Sequence, residues 1–220
     1  MTLPEMKYIA VVHYHLLDHS MFMKSFAEAM SRQRGCSGII LHGDSAYTER
    51  VIQTGIMRKE AVIRSTKDLN HRIVALLADY GISGIGINGY QKKIIQKNKS
   101  GMTIDAKWLD GRPPGTHLVL SNLVWDTVKE DVTSIPLAAL AGSLSEELNR
   151  KIIFFNPNDH VSQIFTDSTQ SAGGTLSKME KDAMSMVPEE LKPLPSGSYF
   201  SSVSAFGKLP DTSGLQRFYT

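Results

Sequence analysis

Apolar residues recur along this chain with two periods. Short unbroken apolar runs at Tyr8–Val12, Gly38–Leu41, Ile82–Ile87, His117–Ser121 and Lys151–Phe155 have the length of strands buried on both faces. Between them the spacing lengthens to that of helices. A helix capped by Asp18 or Ser20 is predicted to run to about Arg34, where Gly35 ends it, and Asp44 or Ser45 can cap a second over Ala46–Gln53. Over Thr66–Asp79, Leu69, Ile73, Leu76 and Leu77 share one face and Tyr80-Gly81 stops the helix; another is predicted over Ile135–Leu148. Strands alternating with helices predict an α/β fold, a three-layer α/β/α sandwich with a mostly parallel sheet joined by right-handed crossovers.

Two stretches depart from this rhythm. Lys92 to Arg112 alternates apolar and polar residues around Lys99-Ser100-Gly101 and Asp110-Gly111, which predicts a β-hairpin projecting from the sheet. After Phe155 the chain grows rich in Ser, Pro, Gly and Met, with a helix predicted over about Thr175–Met186 and a last strand or an exposed loop over Ser198–Phe206. No repeat or long linker interrupts residues 1–220, so one domain is expected.

Composition narrows the partners. Lys and Arg number 24 against 22 Asp and Glu, a formal charge of +2, so no global field draws nucleic acid or anionic lipid. The single Cys36 excludes both an internal disulfide and a thiolate zinc cage. The first apolar stretch is broken by His13 and His15 and is far shorter than the ~20 residues that span a bilayer, so no export signal or anchor is read and a cytoplasmic location is expected.

Several strings, in their order, resemble the amino-acid kinase family, and its acetylglutamate kinase branch most closely. IILHGDSAYTERVIQTGI followed by AVIRST is similar to that family's second glycine loop and the Arg beyond it, falling on Gly43 and Arg64. LNHRIVALLADYGISGIGINGY resembles the next helix and strand, falling on Asn70 and Gly89. THLVLSNLVWDT, VTSIPLAALAGSL and SAGGTLSKMEKDAM continue the likeness, which spans roughly residues 8–186. It implies an N-acylated amino acid as small-molecule substrate, ATP and Mg as cofactors, and phosphoryl transfer to the substrate's carboxylate. Gly43, Arg64 and Asn70 are then substrate-binding, Gly173 and Gly174 nucleotide-binding, and Lys178 catalytic. Such transfer works through positioning and charge neutralisation. Gly lets a backbone approach phosphate oxygens, and Arg64 offers a planar fork that matches a carboxylate.

The departures are as specific as the matches. The family's first-strand Lys-x-Gly-Gly falls on Val11-Val12-His13-Tyr14, Ile135 stands where an Asp organises two lysines, and Asp44-Ser45 replaces two glycines. Losing one transition-state donor commonly costs ~10²–10³ in rate, so phosphoryl transfer is expected to be weak or lost while carboxylate binding survives. The alternatives are an active, divergent kinase and a non-catalytic interaction module using the basic hairpin of Lys92, Lys93, Lys97 and Lys99. His13 and His15 share a strand face, but a His pair without a further ligand gives no metal site. Met21, Phe22, Met23, Phe26 and Met30 on the first helix serve either the core or a homodimer face.

Overall fold

The structure, a computed structural model, describes residues 5–155, 191–195 and 197–217. Its centre is strand β1 (Met6–Val12), whose side chains alternate between two cores because successive residues of a strand point to opposite faces. Tyr8, Ala10 and Val12 enter one core, Ile9 and Val11 the other. The chain passes through a one-turn helix α1 (Tyr14–Leu17) and helix α2 (Ser20–Arg32) to β2 (Cys36–His42), parallel to β1. Helices α3 (Tyr47–Gln53) and α4 (Arg58–Asp79) lead to β3 (Gly84–Asn88). Next come β4 (Ile95–Asn98), β5 (Gly101–Ile104), helix α5 (Ala106–Asp110), β6 (His117–Ser121), β7 (Leu123–Asp126) and β8 (Asp131–Ser134). Helix α6 (Leu137–Leu148), β9 (Lys151–Phe155), β10 (Tyr199–Ser201), the short helix α7 (Val203–Phe206) and β11 (Gln216–Arg217) complete the described elements.

The main sheet has the order β11-β10-β9-β1-β2-β6-β3, all parallel except the edge strand β11. Phe26, Met30, Leu69, Ile73, Leu77 and Phe206, from α2, α4 and α7, cover one face; Leu140, Ala141 and Leu144 of α6 and Leu109 of α5 cover the other. The three-layer α/β/α reading therefore holds. Most of the α2 cluster is core: Met23, Phe26 and Met30 are buried and Phe22 packs against them, leaving Met21 facing outward.

Several elements differ from the sequence reading. Of the basic stretch only Lys97 and Lys99 lie in a hairpin, β4–β5, which belongs to a second, four-stranded sheet of order β5-β4-β7-β8 and ends at Ile104; Lys92 and Lys93 sit in a 3-10 turn, Gln91–Lys93, before it. The residues before Arg112 instead form α5, because the Asp105 carboxylate accepts from the Trp108 N–H at 2.9 Å and caps a helix. Helix α2 is capped by neither Asp18 nor Ser20: the His19 ring accepts from the Phe22 N–H at 3.1 Å. Helix α4 starts at Arg58 rather than Thr66, since its first turns bury only the small or polar Ala61, Ser65 and Thr66, which leave no apolar stripe in the sequence. Finally, Ser198–Phe206 divides into β10 and α7, with the Ser202 hydroxyl accepting from the Ala205 N–H at 3.1 Å.

Candidate functional site

The chain leaves β1 toward β2 on one side, while β9 leads toward β10 on the other. Ligand crevices in parallel α/β sheets lie outside the carboxyl ends of the strands, where departing connections separate. At this end the structure gathers buried polar side chains: His13 after β1, His42 closing β2, Asn88 closing β3, and Ser121 and Asn122 closing β6. His13 leads into α1, His42 and Asn88 into loops, and Ser121-Asn122 into β7 of the second sheet.

His42 is the hub. Asn70, on α4, donates its amide N–H to His42 Nε2 at 3.0 Å, to the Val119 carbonyl at 3.0 Å and to the Ile87 carbonyl at 3.3 Å. Nε2 is then an acceptor, so Nδ1 carries the proton and donates to the Gly43 carbonyl at 2.9 Å. Burial lowers the His42 pKa to about 4 against the opposing Gly43 bond, and the ring is neutral at pH 7. Asn122 donates its backbone N–H to the His42 carbonyl at 2.9 Å and its side-chain N–H to the Ile135 carbonyl at 2.7 Å, while Ile135 N–H returns to the Asn122 carbonyl at 3.2 Å. The Ser121 hydroxyl donates to Asn88 Oδ1 at 2.8 Å, and Gln91 Oε1 accepts from the Asn88 backbone N–H at 2.6 Å.

Two glycines allow these turns to close. A Cβ on Gly43 would stand 3.2 Å from the Asn122 amide nitrogen, and one on Gly89 would stand 2.8 Å from the Leu123 carbonyl. The absence of a side chain therefore lets the backbone pack directly against Asn122 at Gly43 and against Leu123 at Gly89. Two acceptor-capable atoms, Asn122 Oδ1 and Thr66 Oγ1, are buried without a partner among the described residues. A buried polar atom in that state is costly unless a ligand or water satisfies it.

The residues expected from the sequence are spread over this end. Gly43 lies at its centre. Asn70 is only 2% exposed and its amide nitrogen is fully engaged, so it touches a ligand only through His42 and the strand carbonyls it holds. Arg64 lies six residues before Asn70, ~9 Å further along the helix, on its solvent side, where it pairs with Glu60 at 2.9 Å. On the same side Lys67 places Nζ 5.2 Å from the Tyr90 ring, beyond the carboxyl end of β3. Gly173, Gly174, Lys178 and the helix over Thr175–Met186 lie outside the described residues. Sequence reasoning missed Asn122, Ser121 and Asn88; the signal was a polar pair, Ser121-Asn122, closing an otherwise apolar strand.

Asn70→Ala should cost ~2 kcal/mol of stability in urea unfolding, since it strips one donor from three buried acceptors. A cost below ~0.5 kcal/mol, the range of an ordinary surface change, would show that the His42 hub is not a stabilising unit.

A triphosphate fits the described residues poorly. Val11, Val12 and His13 are fully buried, α1 follows at once, and no Lys or Arg is among the buried side chains at this end. Asp44 adds a carboxyl whose pKa is raised by burial, partly offset by hydrogen bonds from its own backbone and from Thr48. Ile135, where the resemblance places an Asp, is buried against α6. Among the described residues no three His, Cys, Asp or Glu side chains gather as a metal site, and no helix is long and apolar enough to cross a membrane.

No protein-family model matches the sequence, and no curated protein matches it. Solved structures do. An isopentenyl phosphate kinase superposes with a TM-score of 0.54 at 14% identity, covering 92% of this chain and 93% of that one. An aspartate kinase from Synechocystis gives 0.59 at 11% identity over 90% of this chain, which spans only 38% of the larger protein. Aspartokinase III of E. coli, in complex with aspartate and ADP, gives 0.58 at 13% identity, covering 98% of this chain and 65% of that one. Both kinds of enzyme belong to the amino-acid kinase superfamily, and this chain shares their α/β fold.

Proposed function

We propose that this protein is an acetylglutamate-kinase-like binder of an N-acylated amino acid, with ATP-dependent transfer to the ligand's carboxylate weak or lost. One observation carries the reading. The carboxyl end of the sheet keeps buried, neutral hydrogen-bonding groups at His42, Asn88, Ser121 and Asn122, while the described strand ends supply no cation to face a triphosphate. Neutral donors and acceptors suit an amide and a single carboxylate; they do little for the charge that develops in phosphoryl transfer.

Arg64 supplies the missing positive charge from the rim. Its pair with Glu60 is exposed and spaced i,i+4, a type worth only ~0.3–0.5 kcal/mol, so a ligand carboxylate displaces it at little cost. Asn122 Oδ1, whose amide packs against Gly43, accepts from the acyl amide N–H. Aspartokinase III, which shares the fold, was solved with a carboxylate-bearing amino acid beside a nucleotide.

Calorimetric titration with N-acetylglutamate, with and without ATP and magnesium, tests this. Saturable binding is expected, weakened at least ~tenfold by Arg64→Ala, whose exposed side chain leaves the fold intact. Acyl phosphate trapped as hydroxamate should stay at background. Turnover with ATP would replace this reading by that of an active, divergent kinase; absence of binding would end both.

A further inference from the structure

The opposite end of the sheet, where the parallel strands begin, gathers a second set of ionisable side chains. Glu5 and Lys7 lie at the start of β1, Arg112 before β6, and Arg150 immediately before β9, with Asp110 closing α5. Arg150 is held firmly by its backbone. Asn149 ends α6 in the left-handed region at φ 49°, Arg150 N–H donates to the Ser145 carbonyl at 3.2 Å, and its own carbonyl accepts from the Ser145 hydroxyl at 2.7 Å. The Arg150 side chain is 1% exposed. Nη2 donates to Asp110, but Nε and Nη1 are buried with no partner among the described residues.

Arg112, half-buried, likewise leaves its Nη1 buried without an acceptor among the described residues. Burial and then the charge of Arg150 lower its pKa to about 10, so the two guanidiniums repel each other across a poorly solvated gap. The nearby carboxylates are committed. Asp110 accepts from Arg150 and from Lys7 at 3.5 Å, and Glu5 accepts from the Gly115 N–H at 3.0 Å. Three cations, Lys7, Arg112 and Arg150, thus face two carboxylates, Glu5 and Asp110. His117 adds no charge, since its Nδ1 accepts from the Gly38 N–H at 3.1 Å.

Guanidinium forks without acceptors are what a tetrahedral oxyanion satisfies, because its oxygens accept several N–H bonds at once and cancel the excess charge. Arg112 also lines a surface pocket of about 460 Å³ with Lys107, Trp108, Ile85 and Leu118. Asp105 at its edge is occupied in capping α5. The pocket therefore offers two cations and an apolar, aromatic wall to one ligand.

We propose that Arg112 and Lys107, which line this pocket, bind the phosphate of a small phosphate ester whose planar body lies against Trp108, with the buried Arg150 reinforcing the positive field. The site stands at the far end of the sheet from the acyl-amino-acid site and does not depend on it. Phenyl phosphate and inorganic phosphate, titrated separately at constant ionic strength while Trp108 fluorescence is followed in a Trp125→Phe background, test it. Phenyl phosphate should shift the emission saturably and bind more tightly than phosphate, which should compete with it. Arg112→Gln should weaken phenyl phosphate at least ~tenfold, and Lys107→Gln, at an exposed position, should weaken it by a smaller factor with the fold unchanged. No saturable shift, unchanged affinity in both variants, or equal affinity for the two probes would each overturn the assignment.

Discussion

Acidification from neutrality to about pH 4 is expected to unfold this protein, with stability already declining below about pH 6.5. Three histidines are responsible. Burial lowers the pKa of His13, His42 and His117 from 6.5 to about 4; the charges of His15 on His13 and of Arg112 on His117 add to it. In the unfolded chain the same rings titrate near 6.5, so as pH falls the unfolded state takes up protons first and is favoured. The stabilisation is complete above the unfolded value and is lost between about 6.5 and 4.

The magnitude makes this the largest effect expected. One pKa unit corresponds to ~1.4 kcal/mol, so each ring contributes on the order of 1–3 kcal/mol, and three together rival the ~5–15 kcal/mol of a whole domain. Asp44 acts in the opposite direction, since burial raises its carboxyl and protonation then favours the fold. It is one group against three. Urea unfolding at pH 7, 6 and 5 should give free energies that fall at each step, and a flat profile over that range would falsify the linkage. His42→Gln should lessen the slope, because glutamine does not titrate in this range.

Why the strands were legible and the site largely was not follows from what each demands of a side chain. β1, β2, β6 and β9 are buried on both faces, so nearly every residue must be apolar and the run itself marks the strand. β7 and β8 escaped because Asp126 and Asp131 are polar positions in short strands of the smaller sheet, one accepting from the Val128 and Lys129 N–H groups in the turn. The glycine after β2 was readable, since a strand that stops at His42-Gly43 needs a low turn. Asn70 was found through the resemblance, but its burial was not. Only the fold shows that a polar residue on the apolar side of α4 reaches across to His42 and two strand carbonyls. Asn122 carried no spacing signal, because its partner Ile135 bonds through backbone atoms, which any residue possesses.

Gly38→Ala should be the most damaging small substitution in the main sheet. Gly38 pairs directly with Tyr8 across the β1–β2 ladder, and the Tyr8 ring lies over it: a Cβ at Gly38 would stand 2.2 Å from Tyr8 Cε2. The ring cannot swing aside. It is fully buried, its hydroxyl donates to Gln33 Oε1 at 2.8 Å, and its face meets the Phe206 ring edge-on at 5.2 Å between centroids. Gln33 in turn donates to the Phe206 carbonyl at 2.7 Å, so moving Tyr8 disturbs the end of α2 and the start of the C-terminal region together. Overpacking of this kind costs ~1–3 kcal/mol and more where neighbours are fixed, so a loss of ~3 kcal/mol is expected in urea unfolding. Tyr8→Leu removes the obstacle but forfeits the Gln33 bond and the ring contacts. In the double variant the methyl group then occupies vacated space, so the two costs should fall short of their sum by at least ~1 kcal/mol. Additive costs would mean that the Tyr8 ring does not fill the space over Gly38.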